Sequence, residues 1–144
     1  MEFDNELELL LRQKRSIELE IEKLFTGNYN EIIRFSSKKF VADLGEYYFY
    51  KAATFLSDLK QSRTSNFDCD FVGKLLPEFR EVFGLNIEEV RVEVKTRHAQ
   101  IGNNHLKGIN LQKFDLLAFV ALSDDLRCRH IGIIKSIDIK VGSD

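Results

Sequence analysis

From Asn5 to Phe25 the chain carries no Gly or Pro, and aliphatic residues recur among charges, with Leu10, Ile17 and Leu24 seven apart and Ile21 beside them. Good helix formers dominate and Thr26-Gly27-Asn28 supplies a stop, which predicts a helix over residues 5–25. Lys14 and Glu20 interrupt the seam, so the pattern falls short of a sustained coiled coil and suits docking on the domain or on a second subunit equally. A short helix over 30–35 is expected before the polar break Ser36-Ser37-Lys38-Lys39. A second long helix is expected over 40–60, rich in Tyr and Phe and ending at the loop 61–66. Its broad apolar surface implies burial, and the adjacent Tyr47, Tyr48, Phe49 and Tyr50 point in every direction of a helix, which makes most of them core.

Beyond that loop the period changes. Residues 67–72 read as a strand that Gly73 bends out of the sheet, and 77–83 as a short helix with Pro77 in its first turn and Gly84 closing it. Residues 87–97 alternate at the strand period, and a Gly/Asn-rich loop over 101–105 and a short helix over 106–113 follow. The nearly continuous apolar run 114–122 predicts a central strand covered on both faces. Asp124-Asp125 turns the chain into a strand over 127–134, and 137–141 is expected to pair as another. The order predicts an α/β fold, a mixed β-sheet flanked by helices, with an extra N-terminal helix. The division is residues 1–27 for that helix and 28–144 for the domain.

At 144 residues and 44% hydrophobic content, one domain with a real core is the natural reading. A net charge of -2 does not mark a general polyanion binder, so any nucleic-acid affinity requires a local basic patch. Lys38, Lys39, Lys51, Lys60, Arg63 and Lys74 are its candidates. Cys69 and Cys128 lack the spacing of a zinc site, and two cysteines in a chain of this size argue against a disulfide framework. The acidic start lacks the basic region of a signal peptide, and no apolar run approaches the length that crosses a membrane. The expectation is a cytoplasmic protein with no membrane partner.

The chemistry concentrates in the run 90–97, where Glu93 and Lys95 project from one face. Asp68 and Asp70 lie just upstream. Two carboxylates and an ammonium at strand ends can bind a divalent cation and orient a water toward a phosphodiester. The triplet of acid, any residue and Lys also occurs at Asp58-Leu59-Lys60 and Asp138-Ile139-Lys140, so its context in a valine-rich strand carries the signal. The competing reading is a solvated charged face of Glu89, Arg91, Glu93, Lys95 and Arg97.

Glu46 on the second helix, Asp68 or Asp70 at a strand, and Glu93-Val94-Lys95 on the next strand resemble, in order and type, the PD-(D/E)xK or restriction-endonuclease-like nuclease superfamily. The resemblance covers about residues 40–135; the proline that precedes the family's aspartate is absent, Asp68 following Phe67 and Asp70 following Cys69. Asp70 is favoured because the apolar strand continues directly through Phe71 and Val72, with Asp68 second. The resemblance implies a restriction-endonuclease-like core in which Asp70 and Glu93 hold Mg²⁺ or Mn²⁺, with Asp68 or the Val94 carbonyl as further ligands. Lys95 would then orient the attacking water and stabilise charge on the phosphate, and Glu46 would bind a second ion or hold a water. Lys113, just before the buried strand, Arg97 and His98, just past Lys95, and Lys74 are the positions expected to meet nucleic acid. Asp115, the one charge in its run, caps the strand or pairs with a base such as Arg97, and His105 and His130 are isolated. The implied activity is metal-dependent DNA endonuclease cleavage in restriction, repair or resolvase-like work; cutting both strands would call for a homodimer, to which the first helix offers one route while suiting docking on its own domain equally. The alternative is a catalytically silent domain of the same fold that binds nucleic acid or serves assembly.

Overall fold

The computed structural model describes residues 5–29 (25–29 by backbone alone), 40–62, 69–98, 110–123 and 125–139. The expected helix over 30–35, the loop 101–105, Asp68, Lys38, Lys39, Arg63 and His105 lie outside the described residues. Helix α1 spans Asn5–Tyr29 and α2 Phe40–Ala52; strands β1 (Leu56–Gln61) and β2 (Phe71–Leu75) follow, then α3 (Pro77–Phe83), β3 (Glu89–His98), β4 (Leu116–Leu122) and β5 (Cys128–Lys135). The five strands form one sheet in chain order, antiparallel throughout except for the parallel β3–β4 pair. This is the mixed sheet flanked by helices that the sequence pattern predicts.

Five segments depart from expectation. Gly27 does not end α1, because a glycine that keeps helical dihedrals costs only about 1 kcal/mol relative to alanine. The long helix expected over 40–60 ends at Ala52, and Leu56–Gln61 is an edge strand instead. Leu56 pairs with Leu75 and Gln61 with Phe71, so ladder hydrogen bonds to β2 outweigh a local helix preference that Ser57 and Asp58 hold only weakly. The register slips between Ser57 and Lys60, where Asp58 takes a left-handed φ of 51°. Gly73 lies inside β2 rather than bending the chain away from it: a Cβ there would stand 3.0 Å from Leu59 Cδ1 and 3.5 Å from Leu56 Cβ, so the glycine lets β1 side chains cross it. At the far end, Ser136–Asp138 forms a 3-10 turn where a strand over 137–141 was expected, and 140–144 lie outside the described residues. Residues 110–113, expected to be helical, form a turn.

The core lies between α2 and one face of the sheet. Phe49, Phe71, Val90, Val92, Leu116, Ala118 and Val120 are at most 1% exposed, and Leu44 and Val94 close the layer. A smaller cluster of Cys69, Phe114 and Leu117 covers the other face. Pro77 opens α3 and Gly84 closes it in the left-handed region at φ 64°, as the pattern requires. Phe55 stacks on Phe79 and Phe83, tying the start of β1 to α3. Asp115 caps the start of the parallel pair, its Oδ2 accepting from the Arg91 backbone N–H at 2.8 Å while its Oδ1 meets the Arg91 guanidinium at 3.4 Å. Its cationic partner is therefore Arg91, not Arg97.

Candidate active site

Asp70 sits one residue before β2 and is held by three backbone groups. Its N–H donates to the Val92 carbonyl at 2.9 Å, its carbonyl accepts from the Ser62 N–H at 2.8 Å, and its Oδ2 accepts from the Val94 N–H at 2.7 Å. The carboxylate thus extends the β2–β3 ladder ahead of the first residue of β2 and is fixed where that strand begins. Cys69, buried against Phe114 and Leu117, anchors Asp70, the residue after it. Both cysteines are free thiols.

Alternation along β3 sends Val90, Val92 and Val94 into the core and leaves Glu93 and Lys95 half-buried beside Asp70. The helix side of the site depends on Gly45. A Cβ at that position would overlap the Thr96 hydroxyl and stand 2.7 Å from Thr96 Cβ, so only glycine lets α2 lie this close to β3. That approach carries Glu46, the next residue, to the same cleft. Gln61, at the end of β1, donates from Nε2 to Glu46 Oε2 at 2.8 Å.

Together these residues line one cleft of about 670 Å³ formed by Val41, Ala42, Asp43, Glu46, Gln61, Ser62, Asp70, Glu93, Val94, Lys95 and Thr96. Burial pushes Glu46 up to about 8 from its usual 4.5, with the negative charge of Asp70 and a hydrogen bond to it adding to the rise and Gln61 opposing it. Burial likewise pushes Glu93 up to about 8, the hydrogen bond to Asp70 and its charge adding and Lys95 opposing. Asp70 is thus the charge that both glutamates share in the cleft. Among the described residues no three His, Cys, Asp or Glu side chains surround a single point as a finished cation cage. The donor set is nonetheless all hard oxygen, and Asp70 with either glutamate presents the carboxylate pair that Mg²⁺ or Mn²⁺ takes when waters and a phosphate complete its shell.

Of the residues singled out in the sequence, Glu46, Asp70, Glu93, Val94 and Lys95 meet in this cleft. Val94 contributes its N–H to Asp70. Lys74, Arg97, His98 and Lys113 do not line it: Lys74 faces Asp58 at 3.5 Å across β1 and β2, Arg97 and His98 continue β3 beyond the cleft, and Lys113 is exposed in the turn before β4. Asp68 lies outside the described residues. Asp43, Gln61 and Ser62 were missed by sequence reasoning. Asp43 precedes Glu46 by three positions, a spacing that puts both on one helix face and was available as a signal. Gln61 and Ser62 were hidden by reading the preceding residues as helix. Comparison of the chain with known protein families and with curated proteins returns no match.

Proposed function

We propose that the chain is a divalent-cation-dependent phosphodiesterase acting on DNA, an endonuclease with a restriction-endonuclease-like core, whose site is the cleft between α2 and the β2–β3 edge. The observation that carries this reading is Asp70, locked by three backbone hydrogen bonds between two glutamate carboxyls, with Lys95 on the same strand face as one of them. Mg²⁺ or Mn²⁺ held by Asp70 with Glu93, or by Asp70 with Glu46, would neutralise phosphate charge and make a water more acidic. Asp70 supplies the rigid oxygen donor, since its backbone bonds leave it no freedom to turn away. Gln61 holds one oxygen of Glu46 and so sets the direction of the other. Lys95 brings a positive charge to the rim, where it positions the attacking water and stabilises negative charge developing on the phosphoryl oxygens.

The test is incubation of supercoiled plasmid with the purified chain and Mg²⁺ or Mn²⁺. Nicking or linearisation should require the cation and fall by about 10²-fold or more in Lys95→Ala and Glu93→Gln, the range that loss of one charge-stabilising or proton-handling group costs. Cutting that persists in both variants dismisses the site. One observation favours the second reading, a silent nucleic-acid-binding or assembly subunit: among the described residues no three His, Cys, Asp or Glu side chains gather around a single point. That reading calls for salt-dependent retention on DNA with no cleavage in either cation.

A further inference from the structure

We infer that the cleft takes a single divalent cation, on Asp70 and Glu93, and that Gln61 excludes a second by occupying Glu46 with its amide. The inference rests on the cation chemistry proposed for this cleft and extends it to how many ions are held and which residue sets that number. Asp43, Glu46, Asp70 and Glu93 all line the cleft, and an acidic lining of this size invites two ions. Three observations favour one.

Asp70 supplies the first. A two-ion site holds its cations about 3.5–4 Å apart, and a carboxylate shared between them turns one oxygen to each. Among the described residues Asp70 is the carboxyl group in hydrogen-bond contact with both Glu46 and Glu93, so it is the one placed to be shared. Its Oδ2 accepts from the Val94 N–H at 2.7 Å, while its own N–H and carbonyl are bonded to Val92 and Ser62. Oδ2 is therefore held toward β3, and Oδ1 is the oxygen left to face a cation.

Gln61 supplies the second. Its Nε2 donates to Glu46 Oε2 at 2.8 Å. The reversed amide would set two acceptor oxygens against each other at that distance, so the donor end faces the carboxylate. An N–H aimed at this oxygen brings partial positive charge to the place where a cation bound by it would stand. The backbone of Gln61 is fixed as well: it ends β1 opposite Phe71, and the next residue, Ser62, donates its N–H to the Asp70 carbonyl at 2.8 Å. The end of one edge strand thus fastens both Glu46 and Asp70.

Asp43 supplies the third. At 8% exposure it leaves no room for the waters that Mg²⁺ keeps, so it does not complete a second site with Glu46. Glu93 differs from Glu46, because the side chains acting on it are Asp70 and Lys95 and neither is an amide donor. Asp70 with Glu93 is then the carboxylate pair that suffices for one ion when waters and a phosphate complete its shell. Glu46 keeps its other oxygen for a water.

Equilibrium dialysis of Mn²⁺ against the whole chain at pH 8 counts the bound ions, and electron paramagnetic resonance tells an isolated Mn²⁺ from two close enough to couple. Wild type should bind one Mn²⁺ per chain with an uncoupled spectrum, and Glu46→Gln should still bind one. Gln61→Glu removes the donor and sets a second carboxylate beside Glu46, so the count should rise to two. One ion in a folded Gln61→Glu overturns the role of Gln61. Where that variant does not fold, the other two decide: two ions in wild type, falling to one in Glu46→Gln, overturn the inference. Two ions in a wild type that cuts plasmid overturn the inference alone and leave the nuclease reading standing. No ion in wild type overturns both.

Discussion

At the scale of single residues the site is governed by Asp70, whose N–H, carbonyl and Oδ2 are each bonded to backbone, and by the two glutamates it crowds. Glu46 and Glu93 carry folded-state values near 8 against an ordinary 4.5, so between those limits the folded chain keeps protons that the unfolded chain has released. Unfolding then sheds protons, and stability must fall as pH rises from about 4.5 to about 8. Glu46→Gln and Glu93→Gln should flatten this fall and raise the melting temperature at pH 8, by about 2–4 °C for each kcal/mol relieved in a chain of this size. Thermal melts across pH 5–8.5 check this, and a wild-type melting point that rises over that range would contradict it. Gly45 is the second sensitive position. Alanine there would gain about 1 kcal/mol of helix propensity if the space were free, but its Cβ would overlap Thr96, and the clash decides the sign. Gly45→Ala should destabilise by about 2 kcal/mol or more and impair the cleft by displacing Glu46, with partial recovery in Gly45→Ala, Thr96→Ala, read by urea unfolding. Glu93 and Lys95 were legible in the sequence because strand alternation forces them onto one face. Asp70 was legible as a carboxylate at the start of an apolar strand, while the role of Gly45 was not legible, since an approach of helix to strand leaves no local mark.

At the scale of elements, period and punctuation served where an element makes its own case. α3 is bracketed by Pro77 and Gly84, and β3 and β4 carry unbroken strand patterns, so each appears close to where it was read. β1 makes no such case. Its sequence Leu56-Ser57-Asp58-Leu59-Lys60-Gln61 is neutral between helix and strand, and its conformation is imposed by β2. Asp58 offers a direct check, because a left-handed residue and a helical one respond oppositely to glycine. With φ at 51°, Asp58→Gly should be more stable than Asp58→Val by about 1–2 kcal/mol, the cost of a Cβ in that region, after losing an exposed ion pair with Lys74 worth at most about 1 kcal/mol in both variants. In a helix β-branched valine would instead outrank glycine. Chemical denaturation of the two variants distinguishes the cases. The hidden strand also explains why Gln61 escaped notice: its contact with Glu46 exists only once β1 is laid beside β2.

At the scale of the whole molecule, a five-stranded mixed sheet gathers residues from α2, β1, the approach to β2, and β3 at one edge, while an amphipathic α1 stands apart from the core. The class of fold was readable from the order of periodic segments. The merging of Asp43, Glu46, Gln61, Asp70, Glu93 and Lys95 into one cleft was not, because it depends on the pairing of distant strands. Of the positions expected to meet nucleic acid, Lys74 is turned toward Asp58, and Lys74, Arg97, His98 and Lys113 stand away from the cleft lining. DNA binding by this chain should therefore be modest with a shallow salt slope, the dissociation constant rising about tenfold when salt is raised from 50 to 200 mM, as about two phosphate contacts give. Fluorescence anisotropy with a labelled duplex reads it, and salt-insensitive binding would contradict it. The core of the proposal is that Asp70 gathers a divalent cation while Lys95 serves the chemistry. Calorimetric titration of Mn²⁺ into the chain at pH 8, with wild type, Asp70→Asn and Lys95→Ala in parallel, tests that division most directly. Binding should be present in wild type, lost in Asp70→Asn, and retained in a Lys95→Ala variant that no longer cuts plasmid. No binding in wild type, or binding that Asp70→Asn leaves unchanged, would contradict it.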